Sequence, residues 1–168
     1  MFNKETDFEN ALIALLSTKS WEKEVLRYPT EEKLIANWQE HLNKTNQHID
    51  KLDVPLLRTE MNQILEQVQA LKTPYALNGF INGKTVAIKR ENEESRHFGK
   101  EVSLDIFDRE EISAGKSRYQ IAQQPQFTPR SDLYPKQRGD LMLLINGMPM
   151  FHIELKRSGV PISQATNQ

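Results

Sequence analysis

At 168 residues with no cysteine, the chain has the size of one domain able to bury a substantial core, and a disulfide framework, a thiolate metal site and a nucleophilic cysteine are all excluded. The opening MFNKETDFEN lacks the basic-then-apolar layout of a signal peptide, and no stretch approaches the roughly eighteen unbroken apolar residues of a membrane span, so a soluble, cytoplasmic protein is expected. A net charge of −1 argues against a globally basic DNA-reading surface, although residues 115–157 hold seven Lys/Arg against three acids, an excess of +4 that leaves −5 for the first 114 residues.

The first seventy residues read as helices. Thr6 followed by Glu9 has the spacing of a capping box, and Phe8, Ala11, Leu12, Leu15 and Leu16 then form an apolar stripe at helical period. After Pro29, with Thr30 as N-cap, Leu34, Ile35, Trp38, Leu42 and Ile49 continue that period. A third stripe follows Pro55, through Leu57, Met61, Ile64, Leu65, Val68 and Leu71. Stripes of this kind are core-facing surfaces.

At Thr73-Pro74 the period changes to that of strands. In GFINGKTVAIK, Asn82-Gly83 stands between two apolar segments as a hairpin turn does, and EVSLDIF alternates at Val102, Leu104 and Ile106 like a half-buried strand. The polar run RENEESRHFGK reads as an exposed connection. A further strand is expected around Tyr119 to Phe127, followed by an irregular loop from Pro125 to Pro135. The organisation implied is a single domain over 1–168, mostly helical over 1–72 and with a sheet-containing core over 73–168.

Residues 140–156, DLMLLINGMPMFHIELK, are the most informative. A strand apolar at every position reads as central and buried on both faces. An Asn146-Gly147 turn follows. In the next strand Phe151, Ile153 and Leu155 alternate with His152, Glu154 and Lys156. Glu154 and Lys156 thus share a face, and Asp140, across the hairpin, can bring a second carboxylate to them. Two such acids suit a hard divalent cation such as Mg²⁺, which takes oxygen ligands and keeps waters for substrate phosphates. The metal would activate water and polarise a phosphate while the lysine positions that water or meets developing negative charge. A Glu-x-Lys pair by itself is also an ordinary solvated strand face, and Asp140 by itself can cap a turn; the ordered set carries the chemistry.

Register decides whether that set assembles. With a strict two-residue turn continued into regular strands, Ile145 pairs with Met148 and Asp140 falls opposite Ile153, on the wrong face. A three-residue connection, or a bulge in either strand, sets Asp140 across from Glu154. The second arrangement is predicted.

The run Arg138-Gly139-Asp140 to Asn146-Gly147-Met148-Pro149, with Ile153-Glu154-Leu155-Lys156, resembles the nuclease block of the PD-(D/E)xK type in type I restriction enzyme R (restriction) subunits. Phe8-Glu9, Trp21-Glu22, Glu60, Ala76-Leu77-Asn78-Gly79, Phe107-Asp108 and Gln123-Gln124 are similar to that family's N-terminal pattern, so the resemblance covers nearly the whole chain. It implies an α+β, restriction-endonuclease-like fold, with a mixed sheet of about five strands flanked by helices. It also implies a type I site-specific deoxyribonuclease hydrolysing DNA phosphodiester bonds with Mg²⁺. On this resemblance Asp140 and Glu154 are metal-binding carboxylates, Lys156 is the catalytic lysine, and Gln168 opens a Gln-x-x-x-Tyr element whose tyrosine would follow the last residue. An acid on the first core helix, Glu9 or Glu60, would assist the metal. Gly139 departs from the proline that usually precedes the aspartate. Implied partners are double-stranded DNA and the specificity and methylation subunits, and ATP belongs to the full-length subunit alone. The alternative is a catalytically silent DNA-binding or docking module of the same fold.

Other signals are weaker. Asn82-Gly83-Lys84-Thr85 and Gly115-Lys116-Ser117 lack the first glycine of a P-loop. His41, His48, His97 and His152 have no zinc spacing, though His152 shares the face of Glu154, where a place in the cleft and a polar surface position both fit. Trp21 and Trp38 read as core or interface residues. Ser163 can cap a helix, and the end at Gln168 without a stop signal is that expected of a fragment of a longer protein.

Overall fold

The computed structural model describes residues 4–48, 50–73, 75–76, 80, 85–107, 115, 117–127 and 137–156. In chain order its elements are α1 (Glu5–Ser17), β1 (Val25–Arg27), α2 (Glu31–Thr45), α3 (Arg58–Gln69), β2 (Thr85–Lys89), β3 (Glu101–Asp105), β4 (Tyr119–Gln123), β5 (Gln126–Phe127), β6 (Gln137–Arg138), β7 (Leu141–Ile145) and β8 (Met148–Ile153). This is an α+β protein with N-terminal helices. None of the described helices is long and apolar enough to cross a membrane. The Asn82-Gly83 turn, most of the 125–135 loop, Ser163 and Gln168 fall outside the described residues.

Two compact units emerge, one formed by Met1–Ala36 with Arg118–Gln168 and the other by Asn37–Ser117. The first is built on a mixed four-stranded sheet in the order β1-β4-β7-β8. β1 runs parallel to β4, and the β4/β7 and β7/β8 pairs are antiparallel. The sequence reading took the first seventy residues as helical. Val25–Arg27 instead adds a strand there, too short to display a period of its own.

β7 is the interior strand its composition called for, and its alternate side chains feed two clusters. Leu141 and Leu143 pack with Ile121 and Leu155 against Phe8, Leu12, Ile13 and Leu16 of α1, with Trp21 and Val25 beside them. Met142 and Leu144 pack with Ala122 against Leu34, from the first turn of α2, with Leu26 and Phe127. Both faces of the strand are therefore dry, and each fully buried leucine stabilises the fold by about 1.5–3 kcal/mol. Trp21 also meets Tyr119 edge to face at 5.5 Å.

The helix starts differ from one another. Thr30 caps α2 as expected, its hydroxyl accepting the Lys33 N–H at 3.3 Å. The capping box expected at Thr6 does not form, because α1 already begins at Glu5, with Lys4 as N-cap and no side-chain cap bond. Thr6 thus sits inside the first turn, where Glu5 and Asp7 complement the positive helix end. Glu9 is released from capping and turns inward.

In the second unit β2 and β3 form an antiparallel pair whose Val86, Ile88, Val102 and Leu104 are buried, as are Met61 and Ile64 of α3. Gln63 treats β2 as a neighbouring strand would. Its side chain donates to the Lys89 carbonyl at 3.0 Å and accepts the Lys89 N–H at 2.8 Å, while Gln67 donates to the Ala87 carbonyl at 2.8 Å. The connection between β2 and β3 is largely exposed, as its polar sequence suggested, with Arg90 and Ser95 as its buried residues. Arg90 is fully buried at its start and forms an ion pair with Glu60 at 2.7 Å.

Candidate metal-dependent nuclease site

The β7–β8 hairpin turns at Asn146 and Gly147, both with positive φ (49° and 79°), the backbone that a two-residue primed turn requires. Ile145 pairs with Met148 and Leu144 with Pro149, as in the strict register. The ladder then shifts. Leu143 pairs with Phe151, Met142 with His152 and Leu141 with Ile153, so Met150 is the extra residue of a bulge. Pro149 has no N–H to give the ladder, which makes this the natural place for it to break. The shift places Asp140 and Glu154 opposite one another just beyond the last pair, the offset expected from the sequence.

Both acids are half-buried, and each is held by a protein group. Asp140 Oδ2 accepts the Leu155 N–H at 2.5 Å, which fastens the end of β8 to the start of β7. Glu154 Oε1 lies 3.0 Å from Nε2 of His152. Burial, and then the neighbouring Asp140 carboxylate, raises the Glu154 carboxyl above the usual carboxylate range, with His152 and Lys156 opposing the rise. Lys156 is half-buried one step past Leu155. Asp140, Glu154 and Lys156 are therefore brought together. Gln168, the fourth residue singled out, lies outside the described residues.

The donor set suits a hard divalent cation. Two carboxylates stand close enough to disfavour each other's charge, and a bound cation would relieve that repulsion. Among the described residues no group of three His, Cys, Asp or Glu side chains is arranged to hold a metal.

The structure separates the two helix acids left open by the sequence. Glu60 is fully buried and occupied within its own unit, by Arg90 and by the backbone N–H groups of Leu57, Glu91 and Asn92 at 2.6–3.2 Å. Glu9, 2% exposed, accepts from the side-chain amides of Gln123 at 2.9 Å and Gln124 at 3.1 Å. Gln124 adopts φ 51° at the end of β4, and its backbone N–H donates to the Asp140 carbonyl at 2.8 Å. Arg27 of β1 holds the other end of the Gln123 side chain at 2.6 Å. A chain of hydrogen bonds thus runs from β1 through Glu9 to the residue that bears the first acid. Gln123-Gln124 was visible in the sequence only as part of a resemblance; the signal for its role is a pair of carboxamides ending an apolar strand.

A family model described as the N terminus of the type I restriction enzyme R protein matches residues 3–168. Similar proteins include the type I restriction enzyme SauMSSORF170P endonuclease subunit of Staphylococcus aureus (strain MSSA476), 29% identical over 168 residues, or 99% of this chain and 16% of that protein. Another is the type I restriction enzyme SsaAORF53P endonuclease subunit of Staphylococcus saprophyticus, 30% identical over 169 residues, or 100% of this chain and 16% of that protein. The chain therefore spans 16% of the length of these curated relatives.

Proposed function

Because the chain belongs to the type I restriction enzyme R protein N-terminal family, we propose that it is the endonuclease domain of such a subunit, hydrolysing phosphodiester bonds of double-stranded DNA with Mg²⁺. The observation that carries this reading is the bulge at Met150, which sets Asp140 across from Glu154 rather than from Ile153. Relatives bearing the name endonuclease subunit support it.

In this reading Asp140 and Glu154 hold the cation, and Lys156 orients the attacking water or meets the charge developing on the scissile phosphate. When bound, the metal supplies Lewis-acid polarisation and a more acidic water. The Leu155 N–H fixes Asp140, and the Glu9–Gln124 link fixes the backbone behind it, so the first acid is oriented before substrate arrives. DNA, the specificity and methylation subunits, and the ATP-dependent activity of the whole protein are partners and functions proposed on family membership.

The test is made in the full-length subunit assembled with its partner subunits, by assaying DNA cleavage and ATP hydrolysis side by side. Asp140→Ala and Lys156→Ala should each lower cleavage by about 10²–10³-fold, the scale of losing one electrostatic stabiliser, with ATP hydrolysis retained. Cleavage undiminished in both variants would refute the assignment.

A further inference from the structure

His152 is not needed by the reading above, yet its placement is unusually constrained. It stands two residues before Glu154 on one face of β8, with Nε2 3.0 Å from Glu154 Oε1. Its side chain is 47% exposed, so burial does not explain where it sits. The explanation lies across the hairpin, at Gly139. A Cβ built on that residue would fall 2.2 Å from Nε2 of His152 and 3.1–3.2 Å from two ring carbons. The imidazole occupies the space that only a glycine leaves open. Gly139 is not among the described glycines with positive φ, which are Gly99, Gly115 and Gly147. The missing side chain, rather than an unusual backbone, is therefore what position 139 contributes.

We propose that His152 is a positioning residue for Glu154 and that Gly139 is its seat, the two acting as one unit; the proposal rests on the metal-site reading of Asp140 and Glu154. The seat is fixed, since the Gly139 N–H donates to the Pro125 carbonyl at 3.3 Å and its next neighbour is Asp140. The backbone that presents the first acid thus also carries the ring that restrains the second. An imidazole nitrogen held 3.0 Å from Oε1 restrains rotation of a carboxylate that would otherwise lose its side-chain freedom only when a cation binds. The 3.0 Å contact between the imidazole and Oε1 makes part of that ordering a property of the unliganded protein.

The experiment measures Mn²⁺ affinity of the full-length protein by calorimetry, without DNA, for His152→Ala, His152→Gln, Gly139→Ala, the Gly139→Ala/His152→Ala double variant and Asp140→Ala. His152→Ala should weaken binding about tenfold, as loss of a partner behind a metal ligand does, and His152→Gln, which keeps an N–H donor, should recover most of it. Gly139→Ala should reproduce the loss with His152 present, because the added methyl displaces the ring. The double variant should bind no worse than His152→Ala. Wild-type affinity in His152→Ala, or losses that multiply in the double variant, would overturn the proposal while leaving the metal site intact if Asp140→Ala abolishes binding. Wild-type affinity in Asp140→Ala would overturn the metal site itself, and this inference with it.

Discussion

Glu60, in the 37–117 unit, keeps its carboxylate against the Arg90 guanidinium and three backbone amides, whereas Glu154, just past β8 in the other unit, is raised by burial and then by the second carboxylate beside it. The first arrangement satisfies a buried charge completely and joins α3 to the start of the β2–β3 connection. The second leaves two acids in mutual repulsion at the end of the β7–β8 hairpin. The repulsion itself stabilises nothing in the fold, and a cation bound between the two acids would relieve it.

The comparison breaks most visibly at Glu60. Glu60→Ala leaves Arg90 charged at zero exposure, and removing one partner of a buried ion pair costs about 3–5 kcal/mol. Urea unfolding should show that loss. Replacing Arg90 by Met in the same chain should recover only part of it, because three backbone amides remain without their acceptor. A Glu60→Ala variant as stable as the wild type would mean that the pair is a surface bridge of little worth.

These two acids also mark the limit of what the sequence displays. Asp140, Glu154 and Lys156 were legible because an apolar run, an Asn-Gly pair and an alternating strand are local patterns, each written within a few residues. Their register was legible only as a choice, since it turns on where the ladder slips near Pro149. Glu60 and Glu9 could not be told apart. Their partners lie 30 and 114–115 residues away, and nothing in a helical stripe says which of its acids faces inward. RENEESRHFGK is mostly exposed, as its composition suggests, but composition does not reveal that Arg90 at its start has a carboxylate waiting. Thr6 and Glu9 had capping-box spacing, but a helix that begins two residues earlier, with Lys4 as N-cap, makes the motif irrelevant. Three residues of β1 are too few to carry a period.

At the site the expected effect is smaller and opposite in sign. A carboxyl raised in the folded protein binds more protons there than in the unfolded chain. For the metal-free protein, Glu154 therefore lets stability fall as pH rises from its ordinary 4.5 through the raised value. Asp140, His152 and Lys156 all face this group, and the burial and Asp140 contributions prevail. Glu154→Gln removes the charge, so at neutral pH in chelator the variant should melt higher than the wild type, by about 1 kcal/mol or less for a half-buried group. The variant should lose Mn²⁺ binding at the same time. A lower melting temperature would place Glu154 with Glu60, among acids that serve the fold.

The smallest effect belongs to Asp53, a half-buried acid of the 37–117 unit that is compensated in the manner of Glu60. It accepts from the Ser95 hydroxyl and the Arg96 N–H, each at 2.7 Å. Those bonds, the Ser95 one foremost, hold its carboxyl down from 3.8 to about 2. A depressed carboxyl contributes stability that is complete above its unfolded value and is lost as pH falls through the folded one, so the window runs from about 4 down to 2. Asp53→Asn should flatten the acid limb of the unfolding curve there, and should leave stability at pH 7 only slightly lower because the group is solvated. An unchanged acid limb would show that the Asp53 bonds exchange with water and contribute nothing to the fold.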